Sequence, residues 1–135
     1  MGEATVQVGA SNFKQLVEKP GALFLDFWAE WCGPCRAFAP IYEEVAKKHP
    51  EAVFGKVNTE EEQALAAAFQ IRSIPTLMIF RDGVLLFSQP GMLPADVLEE
   101  LVKRVQSLDM AEVKQEVERR SADEREEGKQ AEEPR

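Results

Sequence analysis

The two cysteines of the chain stand close together, at the point where an apolar, strand-like run gives way to a helical pattern. Cys32 and Cys35 are separated only by Gly33 and Pro34, and the apolar run 22–29 precedes them. Two thiols this close on a strand-to-helix turn can form a disulfide and open it again. A Cys-x-x-Cys pair beside a β-α-β pattern in an intracellular protein indicates thiol–disulfide exchange, so this turn constrains both the fold and the chemistry.

Size and composition favour one domain with its own hydrophobic core. The chain has 135 residues, of which 44% are hydrophobic, which suffices for one core and is too little for two ordinary domains. Its two cysteines are too few for a disulfide scaffold, and a domain of this size does not need one. The formal net charge of −8 disfavours nucleic acid as a partner, because binding to phosphates relies on Lys and Arg.

The sequence also predicts where the protein works. Residues 1–9 contain neither a basic segment nor an apolar segment of the kind found in signal peptides. The longest apolar run, 22–29, is interrupted by Asp26 and is too short to cross a bilayer. We therefore expect a soluble, cytoplasmic protein without a membrane partner.

Strand and helix patterns alternate through the first half of the chain. Residues 5–8 can form a short strand, and Ser11 is a candidate N-cap for the helix that follows. The run 22–29 is apolar on both alternations, which is typical of a strand buried on both faces. The helix after the cysteines is amphipathic, with Pro34 in its first turn and Pro40 in its interior, where a kink is expected.

A third strand and a third helix follow. Val53–Asn58 has the pattern of a strand. Thr59 and Glu62 have the spacing of a capping box, in which each side chain bonds to a free amide at the start of a helix. We expect this helix to run through the alanines to Phe69.

A hairpin and a last core helix complete the pattern. The strand-like runs 76–80 and 84–87 flank Asp82-Gly83, a dipeptide typical of tight hairpin turns. Pro94 opens the last core helix. The apolar face of that helix contains Val97, Leu98, Leu101, Val102, Val105 and Leu108.

The order β-α-β-α-β-α-β-β-α predicts an α/β fold with a central mixed β-sheet flanked by helices on both faces. We assign this domain to residues 1–108. Residues 109–120 are expected to form a short extra helix, with an apolar stripe of Met110, Val113 and Val117. Residues 121–135 contain no aromatic or large aliphatic side chain, so a disordered charged tail is predicted.

Over residues 4–108 the sequence resembles the thioredoxin family. The matching features are Trp28-Ala29-Glu30-Trp31-Cys32-Gly33-Pro34-Cys35, Asp26 in the preceding strand, Lys56 in the third strand, Ile74-Pro75-Thr76, and Gly91 before the last core helix. The resemblance implies the thioredoxin fold and a protein disulfide reductase. Within the family, residues 36–40 and 56–60 are most similar to the second bacterial thioredoxin type. That type usually carries an N-terminal zinc module with four cysteines, which this sequence lacks.

The two cysteines are expected to have different roles. Cys32 lies at the helix entrance, where unpaired backbone amides and the helix dipole stabilise a thiolate, so it is the predicted attacking thiol. The helical periodicity places Cys35 on the inward face, as the shielded thiol that resolves the mixed disulfide. Gly33 and Pro34 add no charge between them.

Asp26 and Lys56 are the candidate proton-handling and tuning groups. Asp26 shares a strand face with Phe24 and Trp28, where desolvation raises the pKa of a carboxyl group toward neutrality. The resemblance implies that Asp26 deprotonates Cys35, with Lys56 nearby tuning the charge. For Asp26 the alternatives are a hydrogen-bonded structural carboxyl group or an ion pair with Lys56. For Lys56 the alternative is a side chain that is simply solvated.

The resemblance also implies a substrate groove. Pro75 is implied to be a cis proline packed against the disulfide, exposing backbone groups with which an extended substrate can pair. The implied apolar rim consists of Trp31, Gly33, Pro34, Ile74, Gly91 and Met92. Core packing is the alternative for Ile74 and Met92. Pro90 departs from the residue usual before Gly91 and removes a backbone donor from the groove.

We expect a monomer without a cofactor or a metal, because two Cys and one His are fewer than the four ligands that zinc requires. His49 is expected to cap a helix or to be exposed rather than to act as a base. The implied partners are disulfide-containing proteins and a thioredoxin-reductase-type enzyme that resets the pair. Two other functions stay open: a disulfide oxidase or isomerase, and a nonenzymatic binding module in which the thiols are incidental.

Overall fold

A computed structural model describes residues 3–132, and for residues 129–132 only the backbone. In chain order the elements are β1 (Thr5–Gln7), α1 (Phe13–Glu18), β2 (Ala22–Trp28), α2 (Gly33–Lys48), β3 (Val53–Asn58), α3 (Gln63–Ala68), β4 (Thr76–Arg81), β5 (Val84–Pro90), α4 (Ala95–Ser107) and α5 (Met110–Glu132). The predicted order of elements is confirmed as far as α4.

One mixed sheet of five strands forms the centre of the domain, in the order β1-β3-β2-β4-β5. Strands β1, β3 and β2 are parallel, whereas β4 is antiparallel to both β2 and β5. Strand β2 is the central strand, and six of its seven residues are buried. The predicted thioredoxin fold with a central mixed sheet is confirmed.

Helices cover both faces of this sheet. On one face Phe38 and Tyr42 of α2 pack with Leu98 and Val102 of α4 against Phe24. On the other face, residues of α1 and the α3 region pack against Leu23, Leu25 and Phe27 of β2; they are Phe13, Leu16, Val17, Leu65 and Phe69. The continuous apolar run of β2 therefore reflects burial on both faces, as predicted.

Two predicted helix caps do not form. Ser11 does not cap α1: Asn12 precedes the helix, and its Oδ1 accepts a hydrogen bond from the Gly9 amide at 2.8 Å. The Thr59 hydroxyl donates to the Trp28 carbonyl at 3.0 Å, and α3 begins only at Gln63. The Trp28 carbonyl accepts from both the amide and the hydroxyl of Thr59, at 2.9 and 3.0 Å. The Glu62 carboxylate accepts from the Ala10 amide at 3.0 Å instead, so the capping box does not form.

The hairpin turn is formed as predicted. Asp82 and Gly83 both have positive φ angles, of 51° and 81°. This pair of angles is that of a type I′ turn, whose twist matches the two strands that it joins. The register of β4 and β5 shifts between Ile79 and Phe80, and β5 then continues to Pro90.

Helix α5 is longer than the sequence interpretation allowed. Its start is capped by Asp109, whose Oδ1 accepts from the amides of Ala111 at 3.0 Å and Glu112 at 3.3 Å. The helix continues to Glu132, through most of the segment for which disorder was predicted, and residues 133–135 lie outside the described residues. Glu, Arg, Gln, Lys and Ala dominate this segment, and these are strong helix formers even where nothing is buried. None of the described helices is both long enough and apolar enough to span a bilayer.

Candidate active site

The cysteine pair lies at the N-terminus of α2, directly beyond the end of β2. Cys32 is the N-cap residue and Cys35 belongs to the first turn. The two sulfurs are joined as a disulfide, with the Cα atoms 5.2 Å apart. The Cys35 amide donates to the Cys32 Sγ at 3.1 Å. The helix therefore directs a backbone donor at the sulfur on which a thiolate would form.

Both cysteines are buried in this oxidised state. Cys32 is 5% exposed and Cys35 is 2% exposed, so the predicted contrast between an exposed and a shielded thiol is small. Gly33 and Pro34, which separate them, are exposed. A substrate disulfide therefore reaches Cys32 across the surface formed by this turn and its neighbours.

Asp26 lies in β2 and is fully buried, and neither of its carboxyl oxygens has a hydrogen-bond partner among the described residues. Burial raises the pKa of this carboxyl group from 3.8 to about 7, against a smaller lowering by the charge of Lys56. The alternative of a hydrogen-bonded structural aspartate therefore does not apply to the described residues. A carboxyl group with this pKa can release and accept a proton near neutral pH.

Lys56 is the neighbour of Asp26 in the parallel register of β2 and β3. Its Nζ lies 4.8 Å from the centre of the Trp28 ring, a cation–π arrangement. No ion pair joins Lys56 to Asp26 in the part of the chain that the structure describes. Lys56 also lines a polar cavity of about 170 Å³ beside the sheet, together with Trp28. It is therefore close enough to act on the Asp26 charge without neutralising it.

The loop before β4 faces the disulfide. The Ile74–Pro75 peptide bond is cis, as the resemblance implied. The Ile74 carbonyl oxygen lies 3.8 Å from the Cys32 Sγ. The Pro75 carbonyl accepts a hydrogen bond from the Gly91 amide at 2.7 Å, which joins this loop to the end of β5. Gly91 has a φ angle of 97°, which a residue with a side chain adopts only under strain.

The implied rim surrounds this loop. Trp31 is 67% exposed and Met92 is 41% exposed, whereas Ile74 is half-buried and Pro75 is buried. Met92 is therefore not a core residue, which rules out the alternative of core packing for it. Ile74 is packed only in part, since it is half-buried. Trp31 and Ile74 also line a small cavity of about 190 Å³. The structure thus places Trp31 beside Ile74, and Gly91 beside Pro75, next to the disulfide.

Two side chains that sequence reasoning missed fix the edges of the site. Glu60 accepts a hydrogen bond from the Trp31 indole nitrogen at 2.6 Å, and Arg36 donates to the Glu30 carbonyl at 2.9 Å. No periodicity or motif indicates either contact. The Trp31–Glu60 bond joins segments that only the folded chain brings together, and the Arg36–Glu30 bond depends on the shape of the turn between β2 and α2.

His49 lies outside the site, at the C-terminal end of α2, where its amide donates to the Ala46 carbonyl at 3.1 Å. The prediction that it caps a helix is confirmed, whereas the alternative of an exposed side chain is wrong. Its ring is largely buried and bonds to Glu51 and Glu99. Among the described residues, no group of His, Cys, Asp and Glu could hold a metal ion.

The sequence of the chain matches the thioredoxin family model over residues 4–104. The chain belongs to the thioredoxin family. It is 49% identical over 114 residues to "Putative thioredoxin 2" of Streptomyces coelicolor, covering 84% of this chain and 85% of that protein. It is 40% identical over 99 residues to "Thioredoxin 1" of Synechococcus elongatus, covering 73% of this chain and 92% of the relative.

Solved structures agree with this assignment. A mutant thioredoxin from Halobacterium salinarum superposes with a TM-score of 0.72 at 29% identity, over 81% of this chain and 97% of that one. Thioredoxins are thiol–disulfide oxidoreductases, and this member carries its redox-active cysteine pair at disulfide distance. The prediction of a protein disulfide reductase of bacterial thioredoxin type is thereby confirmed.

Proposed function

We propose that this thioredoxin reduces protein disulfides through a mixed disulfide formed on Cys32. The reduced Cys32 thiolate attacks one sulfur of the substrate disulfide, a bond forms between them, and the other substrate sulfur leaves as a thiolate. The observation that carries this assignment is the Cys35 amide aimed at the Cys32 Sγ at the entrance of α2. Cys35 lies one turn further into the helix, on the buried side.

In the second step Cys35 attacks Cys32, which releases the substrate as a dithiol and leaves the disulfide seen in the structure. Cys35 must lose a proton to attack, and Asp26 is the proposed acceptor, directly or through water. The pKa of about 7 for Asp26 supports this role, because a base is most effective when its pKa lies near the working pH. Lys56 tunes the charge of Asp26, while Gly33 and Pro34 keep the turn free of charge.

The groove residues hold the substrate in this proposal. Trp31, Ile74, Gly91 and Met92 supply apolar contacts around the disulfide. Pro75 holds the loop so that an extended substrate segment lies across it. The Pro75 carbonyl already accepts from the Gly91 amide. The backbone of Ile74, whose carbonyl oxygen lies beside the Cys32 Sγ, is therefore the group with which an incoming strand pairs in this proposal.

The cycle needs no bound cofactor, since the two electrons reside in the cysteine pair. A thioredoxin-reductase-type enzyme is the proposed source of electrons, and a reducing compartment, the cytoplasm, is the proposed location. We further propose a monomer of the second bacterial thioredoxin type. The name of the Streptomyces coelicolor relative and the sequence of residues 36–40 support that subtype.

Trapping the mixed disulfide tests the two cysteine roles. We expect Cys35→Ser to accumulate a covalent adduct with a protein disulfide substrate, because the attacking thiol is intact and the resolving thiol is gone. Cys32→Ser should form no adduct and reduce nothing. Non-reducing gels and intact mass spectrometry measure both. An adduct on Cys32→Ser but none on Cys35→Ser would reverse the assignment.

A further inference from the structure

An apolar groove of about 800 Å³ lies between strand β5 and helix α4. Half-buried Phe87, Leu93 and Leu101 line it together with Val97, which is 45% exposed. Its volume is within the range of sites that bind drug-sized ligands or several side chains. We call it the β5–α4 groove. It is separate from the smaller cavity beside Trp31, since the two share no lining residue.

One end of the β5–α4 groove is linked to the reactive disulfide by a short series of contacts. It begins at Pro90, and the next residue, Gly91, donates its amide to the Pro75 carbonyl. Pro75 follows Ile74, whose carbonyl oxygen lies beside the Cys32 Sγ. Exposed Met92 connects this loop to Leu93 on the groove wall. A polypeptide that is bound at Cys32 and leaves the site past Gly91 therefore enters the groove.

Strand β5 provides a surface suited to an extended chain. It is one of the two edge strands of the sheet, and residues 84–90 include no charged side chain. Extended chains advance about 3.3 Å per residue, so each further residue of a substrate strand moves it along β5 away from the reactive cysteine. Apolar side chains of such a segment would be buried there.

The charges at the groove disfavour one occupant and favour another. Asp96, Glu100 and Arg104 are exposed and contribute one net negative charge, with Arg104 paired to Glu100 at 3.5 Å. A second copy of a chain with net charge −8 would be repelled, whereas a segment with apolar and basic residues would not.

We propose that the β5–α4 groove binds the apolar segment that flanks the reactive cysteine of a protein substrate. This inference rests on the proposed function, because it places a substrate of that same reaction. The groove gives the enzyme a second contact besides the disulfide, and small disulfides cannot reach it. Protein and peptide disulfides with an apolar flank are therefore favoured over small ones.

A pair of matched variants tests the proposal. Val97→Asp places a charge in the groove, whereas Val117→Asp places one on α5, at a valine that is 43% exposed against 45% for Val97. The substrates are two synthetic peptides with a mixed disulfide, one with leucine and lysine beside the cysteine and one with serine there. The third substrate is 5,5′-dithiobis(2-nitrobenzoate), which has no flanking segment.

We expect the wild type to prefer the leucine–lysine peptide by about fivefold to tenfold in kcat/KM. The reason is that partial burial of the leucine side chain in the groove contributes binding free energy. Val97→Asp should lose this preference, and Val117→Asp should keep it. Reduction of the small disulfide should be equal in all three proteins. Val97→Ser, which adds no charge, should lose part of the preference if Val97→Asp fails to fold.

Other outcomes would overturn the proposal. Equal rates for both peptides in the wild type, or a preference that survives Val97→Asp and Val97→Ser, would show that the groove binds no flanking segment. A solution mass that falls from dimer to monomer in Val97→Asp would show that a second copy occupies it. If the wild type did not reduce the small disulfide at all, the proposed function itself would be rejected.

Discussion

At the scale of single residues, Asp26 determines how stability and turnover oppose each other in this protein. Its carboxyl group is buried without a hydrogen-bond partner among the described residues, which costs stability once the group is ionised. The same burial raises its pKa to about 7, which suits proton transfer with Cys35. A residue that weakens the fold and serves the reaction should show both effects when it is replaced.

Asp26→Asn should stabilise the protein in a pH-dependent way. The unfolded chain titrates near 3.8 and the folded chain at about 7, so stability falls as the pH rises through this window and stays low above it. Asn does not titrate, and the gain should therefore be about 2–4 kcal/mol at pH 8 and close to zero at pH 4. Urea unfolding at the two pH values measures it. An equal gain at both would show that ionisation is not the cause.

The same variant should reduce disulfides more slowly at neutral pH. We expect turnover of a protein disulfide such as insulin to fall about tenfold or more, since general base catalysis contributes at least that much. Formation of the mixed disulfide on Cys32 should keep its rate, because Asp26 acts on Cys35. Stopped-flow kinetics separates the two steps. Wild-type turnover in Asp26→Asn would reject the role of Asp26 as a base.

At the scale of elements, α5 is the helix in which intrinsic helix propensity and burial of side chains differ most. Met110 is buried, whereas Val117 is 43% exposed, and the side chains of 122–128 are exposed. Beyond Val117 the helix is supported by pairs such as Glu116 with Arg119 and Arg120, which stabilise surface helices by a few tenths of a kcal/mol each. Sequence reasoning predicted only the first part, because it weighed burial and not intrinsic helix propensity.

Truncation separates the two parts of α5. Removing residues 121–135 should leave the melting temperature and the activity nearly unchanged, since the described side chains there bury little. Removing residues 109–135 should cost about 1–2 kcal/mol, because the burial of Met110 and part of Val113 is lost. Calorimetry and solution mass compare the two proteins. Equal stability and equal mass for both truncations would show that the start of α5 packs on nothing.

At the scale of the whole molecule, the sheet, its covering helices and the reactive turn follow from the sequence because their signals are local. The apolar run of β2, the Asp82-Gly83 turn and the Cys32–Cys35 spacing each specify their own structure. The bond from Trp31 to Glu60 could not be predicted, because it joins segments distant in sequence.

A redox titration of the cysteine pair tests the central claim, that this thioredoxin reduces disulfides. Equilibrating the protein with glutathione and with a dithiol, and measuring free thiols, gives the potential of the pair. We expect the potential to lie at the level characteristic of thioredoxins as a family, which is about −270 mV. About 30 mV corresponds to 1.4 kcal/mol, so the measurement separates the classes well. A potential of about −180 to −120 mV would instead indicate an isomerase or an oxidase, and a pair that never exchanges would indicate a binding module.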